Sequence, residues 1–305
     1  DKGGILNDPV LLRLSEDEFW FSISDSDLLF WLQGVNVTKK YDVVIDEIDA
    51  CPVQIQGPLS EDLMAKLAGE ELREIPYYGL METKIGGADC VISQTGFTGE
   101  KGYEIYVRNA HDNAEKMWNA VLEAGEEFGL MVIAPAHHRR IAAGILSWGQ
   151  DLDHETSPFQ VNLSYQVPRN KKADYIGKEE LERQRAIIDE GKEPFKMKMV
   201  GITLGGKEIT DYAPDFWLVT DTDGNETGYV TSPWWSPELE TNIALAWVPW
   251  SSSEVGTKLM VKLPDEYSES PGGPVNAEIV DVPFRESVNP NKREVQAAKG
   301  LDYAD

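Results

Sequence analysis

The sequence predicts an α+β protein that closes in an all-β domain, and three observations predict it. The first part of the chain mixes alternating apolar runs, such as Tyr103-Glu104-Ile105-Tyr106-Val107, with helical apolar spacing, such as Met117, Trp118, Val121 and Leu122. From Lys196 the pattern changes to short apolar runs separated by Gly, Pro and Asp turns, the spacing of a barrel or sandwich. The polar stretch DEGKEPFK lies between the two regions and sets the expected domains at 1–192 and 193–305.

Residues 1–60 read as strands. Two apolar runs around Ser15-Glu16-Asp17-Glu18 form a hairpin, and DVVIDEID and CPVQIQG follow as further strands. Ser60 opens a short helix that Gly69 closes. METKI and ADCVIS are strands around Gly86-Gly87. Asp112 with Glu115 reads as a capping box for the next helix. HHRRIAAGILSW reads as a helix that His137 and His138 enter and Gly149 stops, and GKEELERQRAIIDEG as another with a charged, solvated face. KMVGITL, FWLVTD, ETGYVTS, NIALAWV and KLMVKLP are the strands of the last domain.

Composition narrows the function. The chain has 305 residues, 28 Lys and Arg against 53 Asp and Glu, and a formal net charge of −25. Nucleic acids and anionic membranes reward clustered cations, so neither is expected as a partner. The acids are spread along the chain, which fits solubility or salt adaptation better than a binding patch. Cys51 and Cys90 each sit among apolar residues and read as two buried free thiols of a reducing cytoplasm. No Cys/His spacing or HExxH motif resembles a metal site, and no metal is expected. The chain opens at Asp1-Lys2-Gly3-Gly4 and enters a strand-like run at once, so a preceding N-terminal piece is expected.

The segment SQTGFTGEKGYEIYV places three glycines in a turn and a single carboxylate, Glu104, on the strand behind it. Two readings are open on local pattern: a hairpin with a solvated glutamate, or a turn that lets a ligand approach the backbone. The glycines precede the strand, so they are not a dinucleotide fingerprint, which follows a strand and opens a helix.

Taken together, GGILND, VQIQGP, TGFTGEKGYEI, GILSWGQDLD, YIGKEEL and TSPWWSPELETNIALAWVP resemble, in order and spacing, the glycine cleavage system T-protein family of aminomethyltransferases and related demethylases. NDPVLL, SISDSD and the RRI before WGQD look most like the dimethylsulfoniopropionate demethylase branch. The resemblance implies a multi-lobed, folate-binding fold with a C-terminal β-barrel domain, and tetrahydrofolate as cofactor. It places Glu104 against the pterin, where a carboxylate accepts paired N–H donors. Phe97, Ser24 and Arg140 are the further expected folate contacts, and Asn7 and Asp8 the expected catalytic pair.

The departures from the family pattern point the chemistry. Asn7 stands where the aminomethyltransferases have a central aspartate, Ala136 where they have an arginine, and Ala142 where a glutamate is common. An asparagine takes up no proton at neutral pH but orients a ligand by hydrogen bonds. Methyl transfer from a sulfonium releases a neutral thioether and needs no general acid, so positioning suffices. Trp148 and Trp20 offer aromatic faces to such a cation, and Arg139 a charge for a donor's carboxylate, with Arg140 and Lys84 as alternatives. The expected function is a methyl transfer from a small sulfonium or quaternary ammonium acid to tetrahydrofolate. The alternatives are an aminomethyltransferase working with a lipoyl carrier protein, and a folate-binding relative without turnover.

Overall fold

A computed structural model describes residues 2–23 and 27–285. They divide into two compact units, one of 7–135 and the other of 2–6 with 136–285.

The first unit opens with the expected hairpin, β1 (Val10–Arg13) and β2 (Phe19–Ser22), in which Leu12 faces Trp20. The Ser15 hydroxyl accepts the backbone N–H groups of Asp17 and Glu18 and so closes the turn. Residues 28–39, expected as strand, form helix α1 (Leu28–Lys39), which buries none of its side chains. DVVIDEID, also expected as a strand, is irregular. Its β-branched residues fit a sheet, but among the described residues no strand pairs with it, and Val43 and Val44 stay exposed.

Strand β3 (Ala50–Gln56) follows, then α2 (Ser60–Ala68), β4 (Leu80–Ile85), β5 (Ala88–Ser93), β6 (Gly102–Arg108) and α3 (Ala110–Gly125). The strands form one antiparallel sheet in the order β3-β6-β5-β4. Gly86 and Gly87 both have positive φ, 59° and 83°, which the two-residue turn between β4 and β5 requires. Alternation along β6 builds a core on each face. Tyr103, Ile105 and Val107 pack with Leu63, Met64, Met117 and Val121 of α2 and α3. Tyr106, pointing the other way, packs with Val91, Leu12 and Trp20 under the hairpin.

Two local expectations are corrected here. α3 starts at Ala110, with Asn109 as its N-cap and no side-chain cap from Asp112. The carboxylate of Asp49, just before β3, accepts the His111 N–H instead, so a residue distant in sequence serves the helix start. Cys51 is exposed because β3 is an edge strand, while Cys90 on the inner β5 is buried. Burial pushes the Cys90 thiol above its ordinary pKa.

The second unit carries α4 (His137–Ala142), α5 (Lys178–Asp189) and strands β7 (Met197–Leu204), β8 (Trp217–Thr220), β9 (Glu226–Ser236), β10 (Thr241–Pro249), β11 (Lys258–Lys262) and β12 (Pro274–Val280). The six strands close into a barrel in the order β10-β7-β12-β11-β8-β9. β12 was not among the expected strands; it pairs with both β7 and β11 and is needed for closure. The expected helix to Gly149 ends at Ala142, and Gly144 then turns the chain with φ +69°. From Ile243 onward β10 is apolar because both its faces are covered. Ala244, Ala246 and Val248 fill the barrel, and Ile243, Leu245 and Trp247 pack with Ile5, Ile141 and Leu152 outside it.

Gly228 on β9 shows how closely the barrel strands pack. A Cβ built there would lie 1.9 Å from the Trp247 carbonyl oxygen. The Gly228→Ala variant is expected to lose about 1–3 kcal/mol or more of unfolding free energy, measured by urea denaturation, because the obstacle is backbone.

Candidate functional site

Glu104 sits in the middle of the sheet of the first unit, with Gln54 on β3 and Ser93 on β5 as its direct cross-strand neighbours. It is 7% exposed, so it is not the solvated glutamate of a plain hairpin. Neutral donors hold its carboxylate. Gln54 Nε2 donates to Oε1 at 2.8 Å, and the hydroxyls of Thr95 and Tyr106 both donate to Oε2, the latter at 3.1 Å. Thr95 Oγ1 also lies 2.6 Å from Ser93 Oγ. Burial, and next the Glu104 charge, push the Tyr106 hydroxyl well above its ordinary pKa, so it stays a donor at neutral pH. Among the described residues no Lys, Arg or His forms an ion pair with Glu104.

A carboxylate offers about four lone-pair directions. Three are used, and the remaining one is on Oε1, beside Gln54, which is exposed. Phe97 belongs to the same array: its N–H points at Gln54 Oε1, 3.4 Å away, and its side chain is half-buried. The glycine turn has an internal cause as well. A Cβ on Gly96 or Gly102 would come within 2.3 or 2.4 Å of the Gln56 amide, which Thr98 and the Thr95 carbonyl hold in place.

Trp20 is buried on the same face of the sheet as Tyr106, at 9% exposure. Its indole N–H donates to Glu18, and the Arg108 guanidinium lies 4.4 Å from its ring centre, so the chain's own cation covers that face. Both polar atoms of the Asn7 side chain are buried and have no hydrogen-bond partner among the described residues. Asp8 beside it is exposed. Ser24 lies outside the described residues. Lys84 is paired with Asp89 at 2.5 Å.

In the second unit, Arg140 and Asp151 form a buried ion pair at 2.6 Å, their side chains 1% and 0% exposed. Arg140 Nη2 donates to Ser232 Oγ, and Asp151 accepts from Ser147 N–H, Thr231 and Ser232. The pair thus ties α4, the 147–151 turn and β9 together, and it was legible only as separate motif letters in the sequence. Trp148, half-buried on that turn, packs against the apolar cluster that includes Ile141, Leu152 and Trp247. Arg139 is half-buried and engaged within the protein. His137 stacks on Trp234 with ring centres 5.5 Å apart; burial, then the Arg140 charge, hold its pKa below the ordinary value, so it is neutral at pH 7. Among the described residues no cluster of His, Cys, Asp and Glu is placed to hold a metal, and no helix is long and apolar enough to cross a membrane.

A helix-backed antiparallel sheet with a buried glutamate, followed in the same chain by a six-stranded barrel, defines the class of the glycine cleavage T-proteins, and this chain belongs to that family. Residues 1–171 match the GCVT N-terminal domain, and residues 198–285 match the glycine cleavage T-protein C-terminal barrel domain. Over 264 residues it is 33% identical to the dimethylsulfoniopropionate demethylase of Ruegeria pomeroyi, covering 87% of this chain and 69% of that protein. It is 31% identical over 271 residues to an aminomethyltransferase of Clostridium botulinum, covering 86% of this chain and 70% of that one. The fold matches the crystal structure of the glycine cleavage system aminomethyltransferase T from Bartonella henselae with a TM-score of 0.69 at 23% identity, over 94% of this chain and 74% of that chain.

Removing one partner of a buried pair strands the other charge. Arg140→Leu is therefore expected to cost about 3–5 kcal/mol of stability by urea denaturation.

Proposed function

We propose that this protein is a tetrahydrofolate-dependent methyltransferase whose donor is a small sulfonium or quaternary ammonium acid, with dimethylsulfoniopropionate as the particular donor. One observation carries the reading: Glu104 is a buried carboxylate with no counter-charge paired to it among the described residues, held by neutral donors, with a lone-pair direction left on Oε1. Such a group favours an incoming N–H donor, because in a low-dielectric setting a charge-assisted hydrogen bond is roughly twice as strong as a neutral one.

The residues present fit a reduced pterin. Glu104 Oε1 can accept one ring-edge N–H directly. A second N–H reaches Oε2 once the Thr95 hydroxyl turns to Ser93 Oγ, the alternative acceptor 2.6 Å away. Bound tetrahydrofolate supplies the nitrogen nucleophile that takes up the one-carbon unit. Asn7 presents a buried amide whose donor and acceptor are both unspent, suited to orienting a donor molecule and unsuited to proton transfer. A methyl group leaving a sulfonium would pass to the nitrogen lone pair while the S–C bonding pair stays on sulfur, so the thioether departs neutral without being protonated, and the methylated nitrogen would release its N–H proton to solvent.

The relatives support both members of the family's chemistry at similar identity, 33% for the demethylase and 31% for the aminomethyltransferase. Asn7 favours methyl transfer, because ammonia release in aminomethyl transfer gains from a carboxylate as base or cation stabiliser. On the second reading, an aminomethyltransferase, a lipoyl carrier protein is the partner and the exposed Asp8 replaces the missing acid.

Glu104→Gln is expected to weaken tetrahydrofolate binding by about 1–3 kcal/mol in calorimetry, the loss for a charged hydrogen-bond pair. Unchanged affinity would remove Glu104 from the site. Incubation of the wild-type protein with tetrahydrofolate and dimethylsulfoniopropionate should yield 5-methyl-tetrahydrofolate by mass. Asn7→Asp should lower that yield with little change in folate affinity, since about 1 Å of misplacement costs on the order of a hundredfold in rate. Aminomethyl transfer gained by the aspartate variant would overturn the assignment.

A further inference from the structure

The second unit contains a groove that takes no part in the reading above. It holds about 230 Å³ and is lined by Phe159, Arg169, Arg185, Asp189, Lys198 and Trp250, among others. That volume is below the roughly 300–1,000 Å³ of sites for drug-sized ligands, so any occupant is small. Three cations and one acid around a single groove are conspicuous in a chain whose formal charge is −25.

The charges differ in how far they are satisfied. Arg169 is bonded twice to Asp189, at 2.7 and 2.9 Å, while its Nε is buried and has no partner among the described residues. Arg185 donates to the carbonyls of Ser164 and Val167, and its guanidinium lies 4.9 Å from the Phe159 ring centre, which fixes its plane. Burial, and next the charge of Arg169, lower the Arg185 pKa, so two like charges sit close together with incomplete hydration. Lys198 forms no ion pair among the described residues; its Nζ lies 5.1 Å from the Trp250 ring centre. On the adjoining surface Asp189 is joined by a second acid, Glu182, which also approaches Lys178 at 4.0 Å. The groove is thus net positive, desolvated on one side, and walled by aromatic and aliphatic carbon.

We propose that this groove binds a small organic anion, its carboxylate or phosphate between Arg185 and Lys198 and its apolar body against Trp250. An oxyanion there relieves the repulsion between the two guanidinium groups and gives Lys198 the counter-charge it lacks. The apolar wall distinguishes such a ligand from a bare inorganic ion, which would stay better hydrated in bulk solvent. The Lys198 ammonium lies over the Trp250 ring and Phe195 packs 6.2 Å from its centre, so an apolar body meets the remaining edge of the half-buried indole together with Val167 and Ile188 of the groove wall.

The test uses the full 305-residue chain with its tryptophan indoles labelled with nitrogen-15 and the Trp250 signal identified by its loss in Trp250→Phe. Sodium benzoate, sodium phosphate and benzyl alcohol are titrated separately at low and high salt, while the Trp250 indole signal is followed by NMR. Benzoate is expected to shift it saturably and to bind more tightly than either phosphate or benzyl alcohol, with affinity falling as salt rises. Lys198→Gln should weaken benzoate by about tenfold, the loss that goes with one charged hydrogen bond. Arg185→Gln should do the same. The Lys198 side chain makes no hydrogen bond among the described residues, and its backbone pairing in β7 survives substitution, so the first variant keeps the test valid if the second fails to fold. The absence of a saturable shift with benzoate, equal affinity for phosphate or benzyl alcohol, or a Lys198→Gln affinity equal to wild type would overturn the proposal.

Discussion

A carboxylate buried on a β-sheet without a cation beside it must be held by neutral donors, and much of the first unit is arranged to supply them for Glu104. Gln54 comes from β3, Tyr106 from two residues further along β6, and Thr95 from the turn after β5. The antiparallel register that puts Gln54, Glu104 and Ser93 in one row is what brings these groups together. The hairpin packed over Tyr106 keeps water from that side, and the glycine turn gives Gln56 and Thr95 the room they need. The result is a buried acid whose acceptor capacity is not exhausted.

Asp151 is the contrasting case. It is equally buried, but Arg140 balances its charge and three further donors complete its shell. Desolvation of two charges roughly cancels their attraction, so such a pair adds little net stability while strongly opposing any arrangement that separates its members. Its use here is to fix where α4, the turn carrying Trp148 and strand β9 lie within the second unit. Arg140, expected as a folate contact, has its terminal donors committed inside this network. The two buried acids therefore serve different ends: one is closed off by its partners, the other is left able to accept more.

The family's chemistry depends on which groups near the reacting centre carry charge. With an asparagine at position 7 and a buried alanine at position 142, two carboxylates common in the aminomethyltransferases are absent from this chain. Asn7 carries no charge, and both polar atoms of its side chain are buried without a partner among the described residues.

Periodicity by itself determined a good part of this protein. The alternation in Tyr103–Val107, the Gly86-Gly87 turn, the Met117 and Val121 face and the short runs after Lys196 correspond to β6, the β4–β5 turn, α3 and the barrel, because each is a local pattern read against a local geometry. The motif order also pointed to the family. What sequence could not carry was anything set by partners remote in the chain. α1 and the irregular 42–49 segment were misread because strand propensity is realised only where a neighbouring strand exists. Asp49 at the start of α3, Arg140 against Asp151, and the exposure of Cys51 on an edge strand all depend on which segments fold beside which. Glu104 shows both sides: the strand that bears it was legible in the alternation of Tyr103–Val107, whereas its burial and its three neutral donors were decided only by the tertiary register, because hydrogen-bond partners 9 and 50 residues away have no signature in the local sequence.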